Sequence, residues 1–193
     1  MPDIFLRKVN RTIDQYTVHY KGLKIGRHHF DFEVDDSFFE QFDEGEIKKG
    51  KINVSVELER HNLMLEFRFN IKGLVEVECD RCLDPFMLPI SFKGDLFVKI
   101  TENENVNDDE IWFISNNEHQ VNLAQYIYES INLSLPLKRY HGISGTNESD
   151  CDPIMLNRLK LTKNNTINNS SSNGIDPRWE KLKDLQIDNN NTN

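Results

Sequence analysis

Long hydrophobic runs are missing from this sequence of 193 residues. A transmembrane helix needs about 20 consecutive, mostly apolar residues, and no stretch of that kind occurs. The opening residues, MPDIFLRKVN, also lack the apolar core of a secretory signal. We therefore expect a cytoplasmic protein with no membrane segment.

Cysteine is scarce, with three residues in the whole chain. In a chain without a secretory signal, so few cysteines are typical of the reducing cytoplasm, where disulfides are rare. A Cys-x-x-Cys pair in that compartment more often binds a metal or carries redox chemistry than forms a structural disulfide.

Blocks of basic residues are absent too, and the formal net charge is −9. Phosphate backbones are bound by clustered Lys and Arg, because binding releases counterions. The charge runs here are acidic, at residues 31–46 and 102–110, and we interpret them as solvated loops and helix faces. The sequence therefore argues against a protein that grips RNA alone over a large surface, and leaves a small local patch or a protein partner.

Catalytic motifs are likewise missing. The sequence contains no glycine-rich phosphate loop in a strand–loop–helix context, no nucleophile elbow, and no Ser/His/Asp set that stands out from chance. We expect a protein that is not an enzyme.

Alternating apolar residues predict most of the fold. KINVSVELE (51–59) and NLMLEFRFNI (62–71) have the period of half-buried strands and predict a hairpin, with Leu63 among the inward residues. A third strand is predicted after Lys72-Gly73, with Val75, Val77 and Cys79 on one face. Further strands are predicted in YTVHYKGLKIGRHHFDFEV, FMLPISF, DLFVKI and EIWFIS.

One main helix is predicted in NLAQYIYESINL, with Asn122 as its N-cap and Pro136 preventing its continuation. Ala124, Ile127, Tyr128 and Ile131 form its apolar stripe. A helical turn capped by Asp35 or Asp36 is predicted in DDSFFEQF. The predicted class is α+β: a mainly antiparallel sheet or barrel-like domain with one main helix, over residues 1–161.

The C-terminal part has a different composition. Residues 162–174 are rich in Asn and Ser and predict a disordered linker. Residues 175–187 predict a short amphipathic helix with Trp179, Leu182 and Leu185 at helical spacing, and residues 188–193 a disordered tail. This helix either docks on a partner or packs on its own domain.

The stretch VECDRCLDPF holds the most specific motif, Cys79 and Cys82 in Cys-x-x-Cys spacing. With His141 and Cys151 these residues form a candidate Cys₃His zinc set. A redox pair is disfavoured, because the motif follows a strand and runs into Asp84-Pro85 instead of opening a helix. The third interpretation is ordinary buried thiols.

The only compact basic cluster that we identify in the predicted folded part, formed by Lys138, Arg139 and His141, follows the main helix. Lys138, Arg139 and Tyr140 are candidates for RNA contact, through phosphates and base stacking. A solvated helix exit is the alternative.

Three stretches together resemble the YceD family, the large ribosomal RNA subunit accumulation proteins, also known as a domain of unknown function. They are VECDRCLDPF, VNLAQYIYESINLSLPLKRYH and DPRWEKLKDL, in the family's order, and the resemblance covers roughly residues 14–185. This sequence lacks the fuller cysteine cluster that some members carry after the helix.

The resemblance implies a non-catalytic ribosome-biogenesis factor that supports synthesis, processing or accumulation of 23S ribosomal RNA. It would act on ribosomal RNA or a pre-ribosomal particle through protein contacts, with DPRWEKLKDL as a docking element. The alternatives are a small zinc-binding RNA-processing enzyme and, with the context against it, a thiol oxidoreductase.

Overall fold

The computed structural model describes residues 13–42, 45–102, 111–147 and 150–160. The chain divides into two units, Met1–Cys151 and Asp152–Asn193. In the second unit residues 153–160 are helical, and Asp152 Oδ1 accepts a hydrogen bond of 2.8 Å from the Ile154 N–H near the start of this helix. The predicted linker (162–174), C-terminal helix (175–187) and tail (188–193) lie outside the described residues.

The first unit is built around one sheet. Its elements are β1 (Thr17–Val18), β2 (Gly26–Val34), α1 (Asp36–Phe39), β3 (Gly50–Arg60), β4 (Met64–Glu78), β5 (Pro85–Thr101), β6 (Ile111–Ser115), β7 (Val121–Asn122) and α2 (Ala124–Leu133). The large sheet has the order β2-β3-β4-β5-β6, and β1 pairs with β7 in a small second sheet. The predicted α+β class is confirmed.

Strand directions refine that prediction. The pairs from β2 to β5 are antiparallel, whereas β5 and β6 are parallel. Because β2 and β6 lie at opposite ends of the order, the described strands form an open sheet, and the barrel alternative is not their arrangement.

The period-two prediction holds in the hairpin of β3 and β4. The inward side chains are buried: Ile52, Val54, Val56, Leu58, Leu65, Phe67, Phe69, Ile71, Val75 and Val77. Leu63 was predicted to face inward and is 64% exposed. The prediction was wrong because Leu63 lies in the turn between the strands, which His61 closes by donating its N–H to the Met64 carbonyl at 2.9 Å.

Lys72-Gly73 does not end a strand, contrary to prediction, and β4 runs through it for 15 residues. A Cβ at Gly73 would lie 2.3 Å from the Lys51 carbonyl oxygen and 2.5 Å from the Ile52 Cα. The glycine therefore marks a close approach of two backbones within the sheet and not a turn. The predicted strands FMLPISF and DLFVKI are likewise one element, β5.

The main helix is present and starts one residue later than its predicted cap implies. Leu123 occupies the N-cap position, while Asn122 Oδ1 accepts the Ala124 N–H at 2.9 Å. The helix buries Ala124, Ile127, Ser130 and Ile131. In α1 the predicted cap is confirmed as Asp35, which accepts the Ser37 N–H at 3.0 Å. Over the described ranges, no helix is long and apolar enough to cross a membrane.

Candidate metal centre

The turn between β4 and β5 carries the first two candidate ligands, Cys79 and Cys82. Two backbone hydrogen bonds close it: Leu83 donates to the Cys79 carbonyl at 2.9 Å, and Cys79 donates to the Asp84 carbonyl at 3.0 Å. Leu83 has a φ of 66°, a left-handed conformation that is uncommon for a non-glycine residue. Such a conformation is maintained only where the surroundings demand it, so the turn has a specific shape.

The other two candidate ligands, His141 and Cys151, come from the segment after α2. A reciprocal pair of hydrogen bonds ties this segment to the turn. The Asp80 N–H donates to the Arg139 carbonyl at 2.6 Å, and the Arg139 N–H donates to Asp80 Oδ2 at 2.5 Å. We call this pair the Asp80–Arg139 clasp. It sets the position of His141, two residues beyond Arg139, relative to the cysteine turn.

The structure brings all four predicted ligands together. Their ligand atoms lie within 4.8 Å of one another. The Sγ atoms of Cys79 and Cys151 are 4.0 Å apart, and Cys82 Sγ is 3.6 Å from His141 Nδ1. Tetrahedral zinc, with Zn–S of about 2.3 Å and Zn–N of about 2.0 Å, requires sulfur–sulfur and sulfur–nitrogen separations of about 3.8 and 3.6 Å. These two separations therefore match those of a tetrahedral zinc site.

The four side chains are also buried, with Cys79 0%, Cys82 7%, His141 4% and Cys151 3% exposed. The Phe86 ring packs against the His141 imidazole with ring centroids 4.6 Å apart. All three cysteines are free thiols, and a separation of 4.0 Å is about twice the length of a disulfide bond. A buried Cys₃His group that can bind a metal is thus a feature of this fold.

The thiols of Cys79 and Cys151 have pKa values shifted in opposite directions. Burial raises the pKa of Cys79, but hydrogen bonds from the backbone of Cys82, Arg81 and His141 outweigh it and lower this pKa to about 6. Burial, together with contacts to Cys82 and Cys79, raises the pKa of Cys151 to about 12. Thiolates crowded in one buried place repel each other, whereas a coordinating cation removes the proton from a thiol ligand. The cluster is therefore suited to a divalent cation that exchanges for thiol protons.

The candidate RNA residues lie beside this cluster. Lys138 is exposed. The Arg139 guanidinium forms an ion pair with Glu46, and the Arg81 guanidinium lies 3.9 Å from the centroid of the Tyr140 ring. Arg139 and Tyr140 thus have structural contacts around the candidate metal ligands. The candidate docking residues Trp179, Leu182 and Leu185 lie outside the described residues.

Sequence reasoning missed the residues that hold the ligands in place. Asp80 and Arg81 occupy the two positions inside the Cys-x-x-Cys motif, and both contact the segment that carries His141. Their charged side chains, a carboxylate and a guanidinium between two cysteines, were the only sign in the sequence that these positions make specific contacts. Their partners, 59 residues away in the case of Asp80, cannot be identified without the fold.

Comparison with known proteins adds the family. The model of the YceD family, described as large ribosomal RNA subunit accumulation protein, matches residues 67–186. This range includes most of β4, all of β5 and α2, and all four candidate ligands. No curated protein and no solved structure matches the chain. Because the family model matches more than half of its length, the chain belongs to the YceD family of large ribosomal RNA subunit accumulation proteins.

Proposed function

We propose that this chain is a non-catalytic ribosome-biogenesis factor that supports the synthesis, processing or accumulation of 23S ribosomal RNA in the cytoplasm. The family match over residues 67–186 is the observation that carries this proposal. The chain would act on ribosomal RNA or a pre-ribosomal particle, with residues 175–187 as a docking element for a protein partner.

We also propose that Cys79, Cys82, His141 and Cys151 bind one structural zinc ion. Catalytic zinc sites keep a position open for water or substrate, whereas structural sites are filled by four protein ligands. Here the four candidate ligand atoms lie within 4.8 Å of one another, and all four residues are buried. This arrangement supports a structural role over the alternative of a zinc-dependent RNA-processing enzyme.

A thiol oxidoreductase fits the geometry less well. A catalytic thiol needs a lowered pKa together with access to a substrate disulfide. Cys79 has the lowered pKa, but it is fully buried. The Cys-x-x-Cys motif lies in a turn between two strands. Two further candidate metal ligands, His141 and Cys151, lie beside its two cysteines.

The proposed role in RNA accumulation is tested by deletion of the gene and quantification of 23S relative to 16S ribosomal RNA. We expect the ratio to fall and a plasmid copy of the wild-type chain to restore it. An unchanged ratio in the deletion strain would contradict the proposal.

A plasmid copy that carries Cys82→Ser tests the zinc proposal in the same deletion strain. We expect this variant to accumulate to a lower level than the wild type in cells, because the fold loses its metal, and to restore the ratio poorly. Ser134→Ala, which changes a residue outside the cluster, serves as a control and should restore it. Equal abundance and equal rescue by Cys82→Ser would contradict a structural role for the metal.

A further inference from the structure

The solvent-facing side of the sheet contains a block of nine residues, three on each of β3, β4 and β5. The registers pair them in rows across the strands. The first row is Lys51, Leu74 and Pro89; the second is Asn53, Lys72 and Ser91; the third is Ser55, Asn70 and Lys93. All face solvent, with Ser55 half-buried and the other eight exposed. We call this group the lysine block.

Its three lysines lie on the diagonal of the block, one from each strand. Diagonal neighbours in an antiparallel sheet have side chains about 7–8 Å apart. Lys51, Lys72 and Lys93 therefore form a row of evenly spaced positive charges across the sheet. The other six members carry no charge, so the lysine block contributes three positive charges and no negative ones on a chain whose formal net charge is −9.

These lysines also lack acidic partners. No ion pair involves Lys51, Lys72 or Lys93 among the residues that the structure describes. The arginine next to the block is different, because Arg68 contacts Glu57 at 2.9 Å and Glu66 at 2.7 Å. The charges of the lysine block are thus available to a ligand.

Acidic residues border the lysine block. Asp31 and Glu33 face it from β2, Glu76 follows Leu74 on β4, and Asp95 follows Lys93 on β5. At physiological ionic strength the Debye length is about 8 Å, so positive potential is confined to the block itself. A ligand must place its negative charges directly over the diagonal.

We propose that the lysine block binds the phosphate backbone of large-subunit ribosomal RNA, an inference that rests on the proposed function. A nucleic-acid strand presents a regular series of negative charges, which complements a row of evenly spaced lysines. The amides of Asn53 and Asn70 and the hydroxyl of Ser91 lie beside the lysines and can donate hydrogen bonds to phosphate and ribose oxygens. The contact is with the backbone, so it carries no base specificity.

Sequence reasoning did not identify this surface, because it selected the cluster of Lys138, Arg139 and His141, with Tyr140 among them. The three lysines are spaced 21 residues apart, at 51, 72 and 93. The two hairpin registers bring them together. Arg139 is already paired with Glu46, so the lysine block is the better phosphate site of the two.

Binding of the full-length chain to a 23S ribosomal RNA transcript, measured over a series of salt concentrations, tests the proposal. Each phosphate contact contributes about −0.7 to the slope of log K against log salt for a single strand. In the triple variant Lys51→Gln, Lys72→Gln, Lys93→Gln we expect this slope to become less steep by about 2. Between 50 and 200 mM salt, the affinity of the triple variant should therefore fall by about 20-fold less than the affinity of the wild type.

A matched control separates local contact from net charge. The triple variant Lys24→Gln, Lys99→Gln, Lys160→Gln removes the same number of exposed charges outside the block. We expect it to keep the wild-type slope. Melting curves of both variants, expected to match the wild type, check that the fold is intact.

An unchanged slope in the block variant, or an equal change in the control, would overturn the proposal. Tighter binding of polyglutamate than of RNA at the same salt concentration, with this preference lost in the block variant, would assign the block to an acidic protein partner and also overturn the proposal. Deletion of the gene tests the broader function separately from the lysine block. If the 23S to 16S ratio falls in the deletion strain while the block variant binds RNA normally, the role in RNA accumulation stands. The lysine block is then not the RNA contact.

Discussion

Removal of the Asp80 carboxylate should weaken the metal site although Asp80 is not a ligand. Asp80→Ala eliminates the hydrogen bond of 2.5 Å from the Arg139 N–H and leaves the reverse bond, from the Asp80 N–H to the Arg139 carbonyl, in place. A hydrogen bond to a charged group contributes about 1.5–3 kcal/mol. Because Asp80 is exposed, we expect the lower end, about 1.5 kcal/mol. This loss corresponds to zinc binding that is about tenfold weaker, within the range found for groups that orient metal ligands.

Competition with a chromophoric zinc chelator measures this affinity directly. Asp84→Ala is the matched control, because Asp84 is an exposed carboxylate in the same turn whose hydrogen bond in the turn is made by its backbone carbonyl. The control should bind zinc like the wild type. Wild-type affinity in Asp80→Ala, or equal weakening in Asp84→Ala, would refute the inference that the Asp80–Arg139 clasp positions His141.

Three further predictions concern stability. Cys82→Ser should lose the bound zinc and lower the free energy of unfolding by about 4 kcal/mol or more, a size typical of a lost metal; metal analysis and denaturant unfolding measure both. Gly73→Ala should cost about 1–3 kcal/mol, because its Cβ would collide with backbone atoms that cannot move aside. Gly22→Ala, with nothing within 4 Å of the added carbon, should unfold like the wild type. Truncation after Leu161 should preserve the melting temperature and abolish rescue of 23S RNA if residues 175–187 dock on a partner; a lowered melting temperature would instead show packing on the chain's own domain.

Local patterns predicted the elements whose buried faces repeat regularly. The alternation in residues 51–59 and 65–71 follows from one face of the sheet being buried and the other solvated. The apolar stripe of the main helix has the same origin in helical periodicity. Both signals are contained within a few consecutive residues, so neither requires knowledge of the fold.

Features that depend on distant partners were not predictable in this way. Gly73 was interpreted as part of a turn, because glycine is common in turns. Its close approach to Lys51 and Ile52 becomes apparent only when the pairing of the strands is known. The parallel pairing of β6 with β5 leaves no trace in the alternation of either strand.

The candidate metal site falls between these cases. Residue chemistry was enough to select Cys79, Cys82, His141 and Cys151 as a candidate set, because few side chains ligate zinc. Their convergence within 4.8 Å depends on the Asp80–Arg139 clasp and on the turn at Leu83. The sequence contains these residues but not the distances between them.

The metal content of the chain, purified under reducing conditions without added metal, tests most directly whether the Cys₃His cluster is a structural zinc site. We expect about one equivalent of zinc per chain, and a melting temperature that falls when a strong chelator removes it. A chain that contains no metal, and that melts at the same temperature with and without added zinc, would contradict this assignment.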